Sequence, residues 1–249
     1  MSNTIRVMTW NVHGTFNLNP RFDIDAVCAI IEKWAPDIVA LQEVDSRGRA
    51  DDVFGRLADS VGEHRAEARS IIAEDGHYGQ VLLSRWPFVG EPRIADVSYQ
   101  EREPRRAISA CVRLPIGEVA VIATHLGLSV RERYAQARTL ADLIDESRSI
   151  VLGDFNDWFW VKSVHRVLVS RCPVRTRLRT FPSWLPVLRL DRIYATENVK
   201  LVKAWTDREA RGCSDHLPVV ADVAFDEAGG SARTIPMPEE FDGRIVRSM

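Results

Sequence analysis

The sequence predicts an α/β protein in which two packed β-sheets carry helices on their outer faces. Its apolar patterns indicate about ten strands and four helices. Several of the predicted strands follow one another through tight turns, whereas others are separated by a helix. This mixture of connections favours two packed sheets flanked by helices over a single parallel sheet.

The composition bounds the size and class of the protein. The chain has 249 residues, of which 45% are hydrophobic and 27% charged, as is ordinary for a globular protein with a large core. We expect one domain over residues 1–225 and a loosely attached polar extension over 226–249. The net charge of −2 argues against a protein that coats polyanions, but it leaves room for a local basic groove.

The cysteines and the N-terminal residues predict where the protein resides. The four cysteines are widely spread and form no Cys-x-x-Cys pair, so we expect reduced thiols rather than a zinc site. The first residues run into a strand without the basic and apolar regions of a secretion signal. No apolar stretch approaches membrane-spanning length. We therefore expect a cytoplasmic protein without a transmembrane segment.

The first part of the chain predicts two strands that end in polar residues. Residues 5–11 alternate between apolar and polar types, as a strand does, and end at Asn11. Residues 24–34 place apolar side chains on one face of a helix. A buried strand over 37–43 then ends at Glu43. Each of these two strands therefore leads to a polar group at its carboxyl end.

The rest of the chain predicts a hairpin and further strands and helices. Residues 107–114 and 118–124 form an antiparallel pair, and the second strand ends just before His125. Further helices are predicted over 51–61, 130–146 and 158–169, and further strands over 78–84, 188–194, 200–207 and 219–223.

The most informative stretch is 150–156, Ile-Val-Leu-Gly-Asp-Phe-Asn. Its apolar residues indicate a buried strand, and Gly153 allows the backbone to turn or pack closely where that strand ends. In an extended segment, residues two apart point the same way, so Asp154 and Asn156 would lie together while Phe155 points into the core. The alternative is a turn that Asp and Asn cap.

Polar residues of a consistent kind follow five of the predicted strands. They are Asn11, Glu43, His125, Asp154 with Asn156, and Asp215 with His216. Asp191 adds a carboxylate within another apolar strand. Oxygen ligands without a thiolate pair suit Mg²⁺ or Mn²⁺, and imidazoles can act as acids or stabilise an oxyanion. This combination points to hydrolysis of a phosphate ester.

Six short motifs occur in an order that resembles a known superfamily. They are Thr9-Trp10-Asn11, Leu41-Gln42-Glu43, Thr124-His125-Leu126, Gly153-Asp154-Phe155-Asn156, Leu190-Asp191-Arg192-Ile193 and Ser214-Asp215-His216-Leu217-Pro218. They resemble the motifs of the endonuclease/exonuclease/phosphatase superfamily, which includes DNase I, apurinic endonucleases, neutral sphingomyelinases and inositol-polyphosphate 5-phosphatases. The resemblance implies a four-layered α/β sandwich, with two central mixed sheets flanked by helices, and a metal-dependent phosphoric ester hydrolase.

The resemblance also implies a role for each motif residue. The implied metal ligands are Asn11, Glu43 and, nearby, Asp215. The implied catalytic residues are Asp154, Asn156, His125, His216 and Asp191. Asp154 would orient or deprotonate the attacking water, and Asn156 would hydrogen-bond the pentavalent phosphate. Both histidines would stabilise negative charge, and Asp191 would orient His216 and raise its basicity. Attack would be in line, without a covalent intermediate.

The sequence departs from this family at several positions. His13 occupies the position, two residues after the first asparagine, at which apurinic endonucleases have an acidic residue. The role of that acid in metal binding is therefore not carried over to this sequence. The Arg102-Glu103-Pro104 segment resembles a phosphate-contacting motif of the DNase I branch, although Arg105 and Arg106 compete for that role. We predict substrate contacts from Arg102, Arg106, His77 and His13.

Two features keep alternative interpretations open. Asp191 could form a buried ion pair with Arg189 or Arg192 instead of assisting a histidine. Residues 171–192 hold six arginines and one aspartate, interleaved with aromatic residues. This segment could contact phosphates and bases, bind headgroups at a membrane surface, or be a solvated loop whose aromatic residues pack on the core.

The predicted function is Mg²⁺-dependent phosphodiester hydrolysis, with Mn²⁺ as an alternative cofactor. A nuclease should carry a long basic groove, because phosphate contacts dominate its affinity, and the net charge gives no sign of one. We therefore favour a phospholipid-type or other small phosphodiester, followed by DNA or RNA and then by a phosphomonoester. A non-catalytic phosphate-binding module is the alternative from another class. The presence of Glu43, Asp154, Asn156 and His216 argues against that module.

Overall fold

The described part of the molecule consists of two mixed, six-stranded sheets that pack face to face. The computed structural model describes residues 4–14, 22–100, 102–145, 148–158 and 163–225. The first sheet contains, in spatial order, β11 (Val199–Thr206), β12 (Val219–Phe225), β1 (Thr4–Asn11), β2 (Ile38–Asp45), β4 (Gly76–Ser84) and β3 (His64–Ala73). The second contains β5 (Arg93–Asp96), β6 (Arg106–Leu114), β7 (Gly117–His125), β8 (Ser149–Asp154), β10 (Asp191–Ala195) and β9 (Val174–Arg175). The predicted extension at 226–249 lies outside the described residues.

Helices cover the outer face of each sheet. They are α1 (Ile24–Trp34), α2 (Val53–Asp59), α3 (Val130–Leu143), α4 (Val164–Leu168) and a 3₁₀ helix at Arg208–Gly212. Helix α1 begins where the Asp23 side chain accepts hydrogen bonds from two backbone N–H groups, and it ends at Ala35 in the left-handed conformation. In the described part of the chain, no helix is long and apolar enough to cross a membrane.

Three apolar cores hold these layers together. The core between the sheets contains fully buried residues from both of them, such as Val7, Ile38, Val121 and Leu152. A second core joins the first sheet to α1 and α2, and a third joins the second sheet to α3 and α4. The predicted four-layered α/β sandwich is therefore confirmed.

Each sheet contains one parallel pair of neighbouring strands, and these two pairs position the site. Strands β1 and β2 are parallel with α1 between them in sequence, and β7 and β8 are parallel with α3 between them. Parallel neighbours place their carboxyl ends at the same edge of a sheet. Asn11 consequently lies beside Gln42, and His125 lies beside Asp154.

Several sequence-based element predictions differ from the structure. The helix predicted over 158–169 is shorter, since α4 begins at Val164 and Trp158 lies outside it, while 159–162 fall outside the described residues. Strand β3 was not predicted, because the inward-facing residues of its first half are the small Ala66 and Ala68 rather than large apolar ones. The short strands β5 and β9 were not predicted either.

Candidate active site

The strand-end residues of the two sheets meet in one cluster of contacting side chains. Nine of the predicted site residues belong to it, namely Asn11, His13, Glu43, His125, Asp154, Asn156, Asp191, Asp215 and His216. The first sheet and the turn before β12 supply Asn11, His13, Glu43, Asp215 and His216. The second sheet and its loops supply His125, Asp154, Asn156 and Asp191. The site therefore lies where the two sheets adjoin.

Asn11 joins the two halves of the site. Its Nδ2 donates to Glu43 Oε1 over 2.8 Å and to Asp154 Oδ2 over 3.0 Å. Its backbone oxygen accepts from Ser214 Oγ over 2.7 Å, which fastens the turn that carries His216 to the end of β1. Asn11 is buried, so these bonds are shielded from water. One amide therefore fixes two carboxylates from different sheets relative to each other.

The backbone turns at Glu43 to place its carboxylate in the site. The pairing of β2 with β4 is irregular between Leu41 and Val44, and Glu43 has a positive φ of 57°. Burial acts to raise the pKa of Glu43, but the hydrogen bond from His13, the nearby His125 and the hydrogen bond from Asn11 together lower it to about 2. Glu43 is thus ionised at neutral pH.

His13 lies between two carboxylates at the open side of the site. Its Nδ1 is 3.3 Å from Glu43 Oε2 and 3.7 Å from Asp215 Oδ1. The hydrogen bond to Glu43 raises the pKa of His13 against the opposing effect of burial. Asp215 Oδ1 is buried and has no hydrogen-bond partner among the described residues. This oxygen is available to a cation or to a water molecule.

His216 and two buried aspartates form a coupled group. His216 Nδ1 is 2.8 Å from Asp191 Oδ2, and its Nε2 is 3.9 Å from Asp154 Oδ2. Burial lowers the pKa of His216, but the two carboxylates outweigh it and raise the value to about 10. Burial and the nearby Asp191 raise the pKa of Asp154 to about 6. An imidazolium therefore neutralises part of the charge of two carboxylates that would otherwise repel each other.

The structure decides between the two interpretations of Asp191. Arg192 Nη1 binds Asp157 Oδ2 over 3.1 Å and not Asp191. Within the described residues, Arg189 forms no ion pair with Asp191 either, and the Asp191 carboxylate binds His216. The alternative of an arginine ion pair at Asp191 is therefore wrong.

A turn follows Asp154, as one of the two interpretations of this stretch predicted. Asn156 has a positive φ of 50°, and its backbone N–H donates to Asp154 Oδ1 over 2.9 Å. The prediction that the chain continues as an extended segment through Asn156 is therefore wrong. Asn156 Nδ2 donates to Leu126 O over 2.9 Å and lies 3.4 Å from His125 Nε2, so its side chain still reaches the site.

Arg105 reaches the site, although we had predicted Arg102 and Arg106. Its Nη1 lies 2.8 Å from His125 Nδ1 and 3.4 Å from His125 Nε2. Arg105 is buried and lines a small cavity with Tyr78. A guanidinium N–H can donate only to an unprotonated ring nitrogen, and burial together with Arg105 holds the pKa of His125 well below its usual range. His125 is thus a neutral imidazole.

Three predicted substrate-binding residues are either exposed to solvent or bound to residues outside the cluster. Arg102 is exposed to solvent, and the Arg106 guanidinium pairs with Asp96. The ring of His77 lies 3.1 Å from Glu67 Oε2 and stacks on Phe54. The hairpin of β6 and β7 pairs Ala107 with Thr124, the residue before His125. This register could have narrowed the choice to Arg105 and Arg106, but it could not separate the two.

Two sets of side chains in the site could hold a metal ion. In the set Asp154, Asp191 and His216, all ligand atoms lie within 4.8 Å of one another. However, His216 Nδ1 is already engaged by Asp191, and a protonated imidazole cannot bind a metal. The set Asn11, Glu43 and Asp215 offers an ionised carboxylate and, in the described structure, a carboxylate oxygen without a hydrogen-bond partner. These hard oxygen donors fit Mg²⁺ better.

Comparison with known proteins agrees with this geometry. The Endonuclease/Exonuclease/phosphatase family model matches residues 8–216. The chain is 31% identical to the uncharacterized protein YbhP of Escherichia coli K12 over 245 residues, which cover 88% of this chain and 96% of YbhP.

Solved structures show the same fold. A family member from Beutenbergia cavernae is 25% identical, with a TM-score of 0.71 over 89% of this chain and 72% of its own. The human Nocturnin catalytic domain is 21% identical, with a TM-score of 0.70 over 91% of this chain and 96% of its own. The resemblance predicted from the sequence is therefore confirmed, and the chain belongs to the endonuclease/exonuclease/phosphatase family of phosphoric ester hydrolases.

Proposed function

We propose that this protein is a Mg²⁺-dependent phosphodiester hydrolase in which Asp154 activates the attacking water. The observation that supports this most directly is the environment of Asp154. Its buried carboxylate is held by Asn11 and Asn156 and lies within 3.9 Å of both His125 and His216. A carboxylate with a pKa of about 6 is largely ionised at neutral pH and still basic enough to take a proton.

The two sheets would then have different tasks. Asn11, Glu43 and Asp215 would hold Mg²⁺, which supplies charge neutralisation for the phosphate oxygens. Asn11 would contribute its side-chain oxygen, which in this structure accepts from His13 N over 3.0 Å. Asp154 would accept a proton as the water oxygen attacks phosphorus and the opposite P–O bond breaks.

The two histidines would act in different charge states. Both were expected to stabilise developing negative charge, and their partners now distinguish them. His216 is an imidazolium next to Asp191, so it can stabilise the charge that accumulates on the phosphoryl oxygens. His125 is neutral beside Arg105, so it can act only through a hydrogen bond. Arg105 itself would bring a second positive charge close to the phosphate.

The substrate that we propose is a phospholipid-type or other small phosphodiester. Exposed apolar residues next to the site, including Trp184, support a substrate with an apolar part. Nucleic acid is the second candidate, because one structural neighbour is the TDP2 of D. rerio complexed with single-strand DNA product. A phosphomonoester and a non-catalytic binding module rank below these two. The cytoplasmic location stays a prediction.

Hydrolysis of a generic aryl phosphodiester tests the proposed chemistry. Purified protein would be assayed with Mg²⁺, Mn²⁺ or EDTA, beside Asp154→Asn and the control Asp37→Asn, whose carboxylate accepts from Arg6 N far from the site. We expect metal-dependent turnover that falls by about 10³-fold or more in Asp154→Asn and is retained in the control. The proposal would be contradicted if Asp154→Asn turned over the substrate as fast as the unchanged protein, or if the unchanged protein kept full turnover in EDTA.

A further inference from the structure

An exposed apolar tip projects from the loop over residues 181–188. Trp184 is 71% exposed, Leu185 56% and Val187 53%. Three large apolar side chains that share one short loop form a patch rather than scattered exposure. Nothing in the described structure covers them. These three residues are called the apolar tip below.

The loop that carries the apolar tip is closed by backbone hydrogen bonds. Leu188 N donates to Phe181 O over 2.8 Å, and Thr180 N donates to Leu188 O over 2.8 Å. Leu185 N donates to Pro182 O over 3.0 Å, which closes a turn inside the loop. The backbone therefore holds the tip outward, and the exposure of its side chains is a feature of an ordered loop.

The base of this loop is part of the active-site wall. The ring of Phe181 lies 4.9 Å from the ring of His216. Ser183 N donates to Asp215 O over 2.6 Å, and Leu217 N donates to Thr180 O over 2.9 Å. A surface that binds the apolar tip would therefore lie beside His216 and the candidate metal ligands.

Positively charged residues flank the loop of the apolar tip along the chain. Arg177, Arg179 and Arg189 flank the loop, and all three are exposed. None of them pairs with a carboxylate in the described part of the chain. Residues 177–190 contain no aspartate or glutamate. An anionic surface could thus meet three arginines together with an aromatic anchor.

A further exposed apolar residue follows one of the catalytic segments. Leu128, three residues after His125, is 64% exposed. Trp158, two residues after Asn156, is half-buried under the guanidinium of Arg133, 4.7 Å from its ring centroid. Apolar groups therefore follow two of the catalytic segments of the second sheet, those that end in His125 and Asn156.

We propose that the apolar tip docks on the surface of an anionic lipid bilayer and brings the active site to a headgroup phosphodiester. Trp184, Leu185 and Val187 would enter the interface, and Arg177, Arg179 and Arg189 would contact lipid phosphates. The substrate part of this proposal rests on the proposed function. Docking itself requires neither metal nor turnover.

Sedimentation with vesicles tests the docking step in EDTA. Phosphatidylcholine vesicles would be compared with vesicles in which about a third of the lipid is phosphatidylglycerol. We expect binding to the anionic vesicles to be about tenfold tighter than to the neutral ones. A triple variant, Trp184→Ser with Leu185→Ser and Val187→Ser, should lose at least tenfold in vesicle affinity. Replacing the three arginines by Gln should remove the preference for anionic lipid.

A matched control separates the apolar tip from exposed apolar surface in general. Ile72, which is 74% exposed in β3, and Val202, which is 55% exposed in β11, are also solvent-facing but lie in the two edge strands of the first sheet. Ile72→Ser with Val202→Ser should bind anionic vesicles as the unchanged protein does. An equal loss of affinity for anionic vesicles in the apolar-tip variant and in the control variant would overturn the proposal.

Two further outcomes would overturn docking on lipid. One is that the unchanged protein binds neither kind of vesicle. The other is that it binds a single-stranded oligonucleotide through the apolar tip and ignores vesicles, which would identify a nucleic-acid surface. Turnover of the soluble aryl phosphodiester, measured on the same preparations, reports separately on the proposed chemistry. Failure of docking and failure of catalysis are therefore distinguishable.

Discussion

At the scale of single residues, the partner of each active-site histidine sets its charge. His216 is buried against Asp191 and is cationic, whereas His125 is buried against Arg105 and is neutral. Burial alone would make both of them neutral, because it disfavours the charged imidazole. Asp191, together with Asp154, therefore gives the site an imidazolium at neutral pH.

Asp191→Asn should lower the pKa of His216. Loss of the closest carboxylate removes the main group that opposes the effect of burial, so the pKa of His216 should fall well below its value of about 10. We expect kcat to fall by about 10²-fold or more at pH 8, with the alkaline limb of the pH–rate profile moved to lower pH.

Titration of the His216 ring by NMR, beside the pH–rate profile, measures this change directly. The control is Asp157→Asn, which removes a buried carboxylate that binds Arg192 and Ser163 outside the site. The control should leave the pKa of His216 unchanged. A His216 that still titrates near 10 in Asp191→Asn would show that another group supports its charge.

A pair of arginine variants tests which arginine serves the site. Arg105→Met should lower kcat/KM by about 10- to 100-fold, because it removes a charge-assisted contact to His125 and a positive charge near the phosphate. Arg102→Met should change kcat/KM little, since Arg102 is exposed. Aryl phosphodiester kinetics measure both variants, and a larger loss in Arg102→Met would contradict the placement of Arg105.

At the scale of elements, the end of β8 depends on a close approach of two backbones. A Cβ at Gly153 would lie 2.0 Å from Thr124 O on the neighbouring strand β7. Gly153 is also in a positive-φ conformation, at 157°. The next residue is Asp154, so any separation of β7 and β8 moves the catalytic carboxylate relative to His125.

Gly153→Ala should therefore reduce both stability and activity. We expect the free energy of unfolding to fall by about 2 kcal/mol or more, since backbone atoms have to shift to admit the methyl group. The control is Gly212→Ala, where a Cβ meets nothing within 4 Å of the described structure. Urea unfolding measures both variants, and an unchanged midpoint for Gly153→Ala would show that the strands separate without cost.

The sequence predicted elements well where apolar residues repeat and poorly where they are small or few. Helix α1 matches its predicted bounds, because its apolar stripe is long and Asp23 caps it. Strand β3 was missed because alanines point inward. The site residues from strand ends were predictable, since parallel strands align their carboxyl ends. Arg105 was not, because the register of the β6–β7 hairpin does not separate it from the neighbouring Arg106.

At the scale of the whole molecule, the site exists only where the two sheets pack together. The first sheet supplies Glu43 as a candidate metal ligand, and the second supplies Asp154 as the candidate base. Asn11 hydrogen-bonds both carboxylates across the boundary between the sheets. The central claim of this account is that the metal ligand and the base are separate groups on separate sheets.

A Mg²⁺ titration of activity in Glu43→Gln and Asp154→Asn tests this claim most directly. Loss of a metal ligand weakens metal binding, so the Mg²⁺ concentration that gives half-maximal activity should rise at least tenfold in Glu43→Gln. Much of the kcat of this variant should return at high Mg²⁺ concentration. Loss of the base should lower kcat at every Mg²⁺ concentration in Asp154→Asn. Recovery of Asp154→Asn at high Mg²⁺, with no recovery of Glu43→Gln, would place the metal at Asp154, Asp191 and His216 instead and contradict the account.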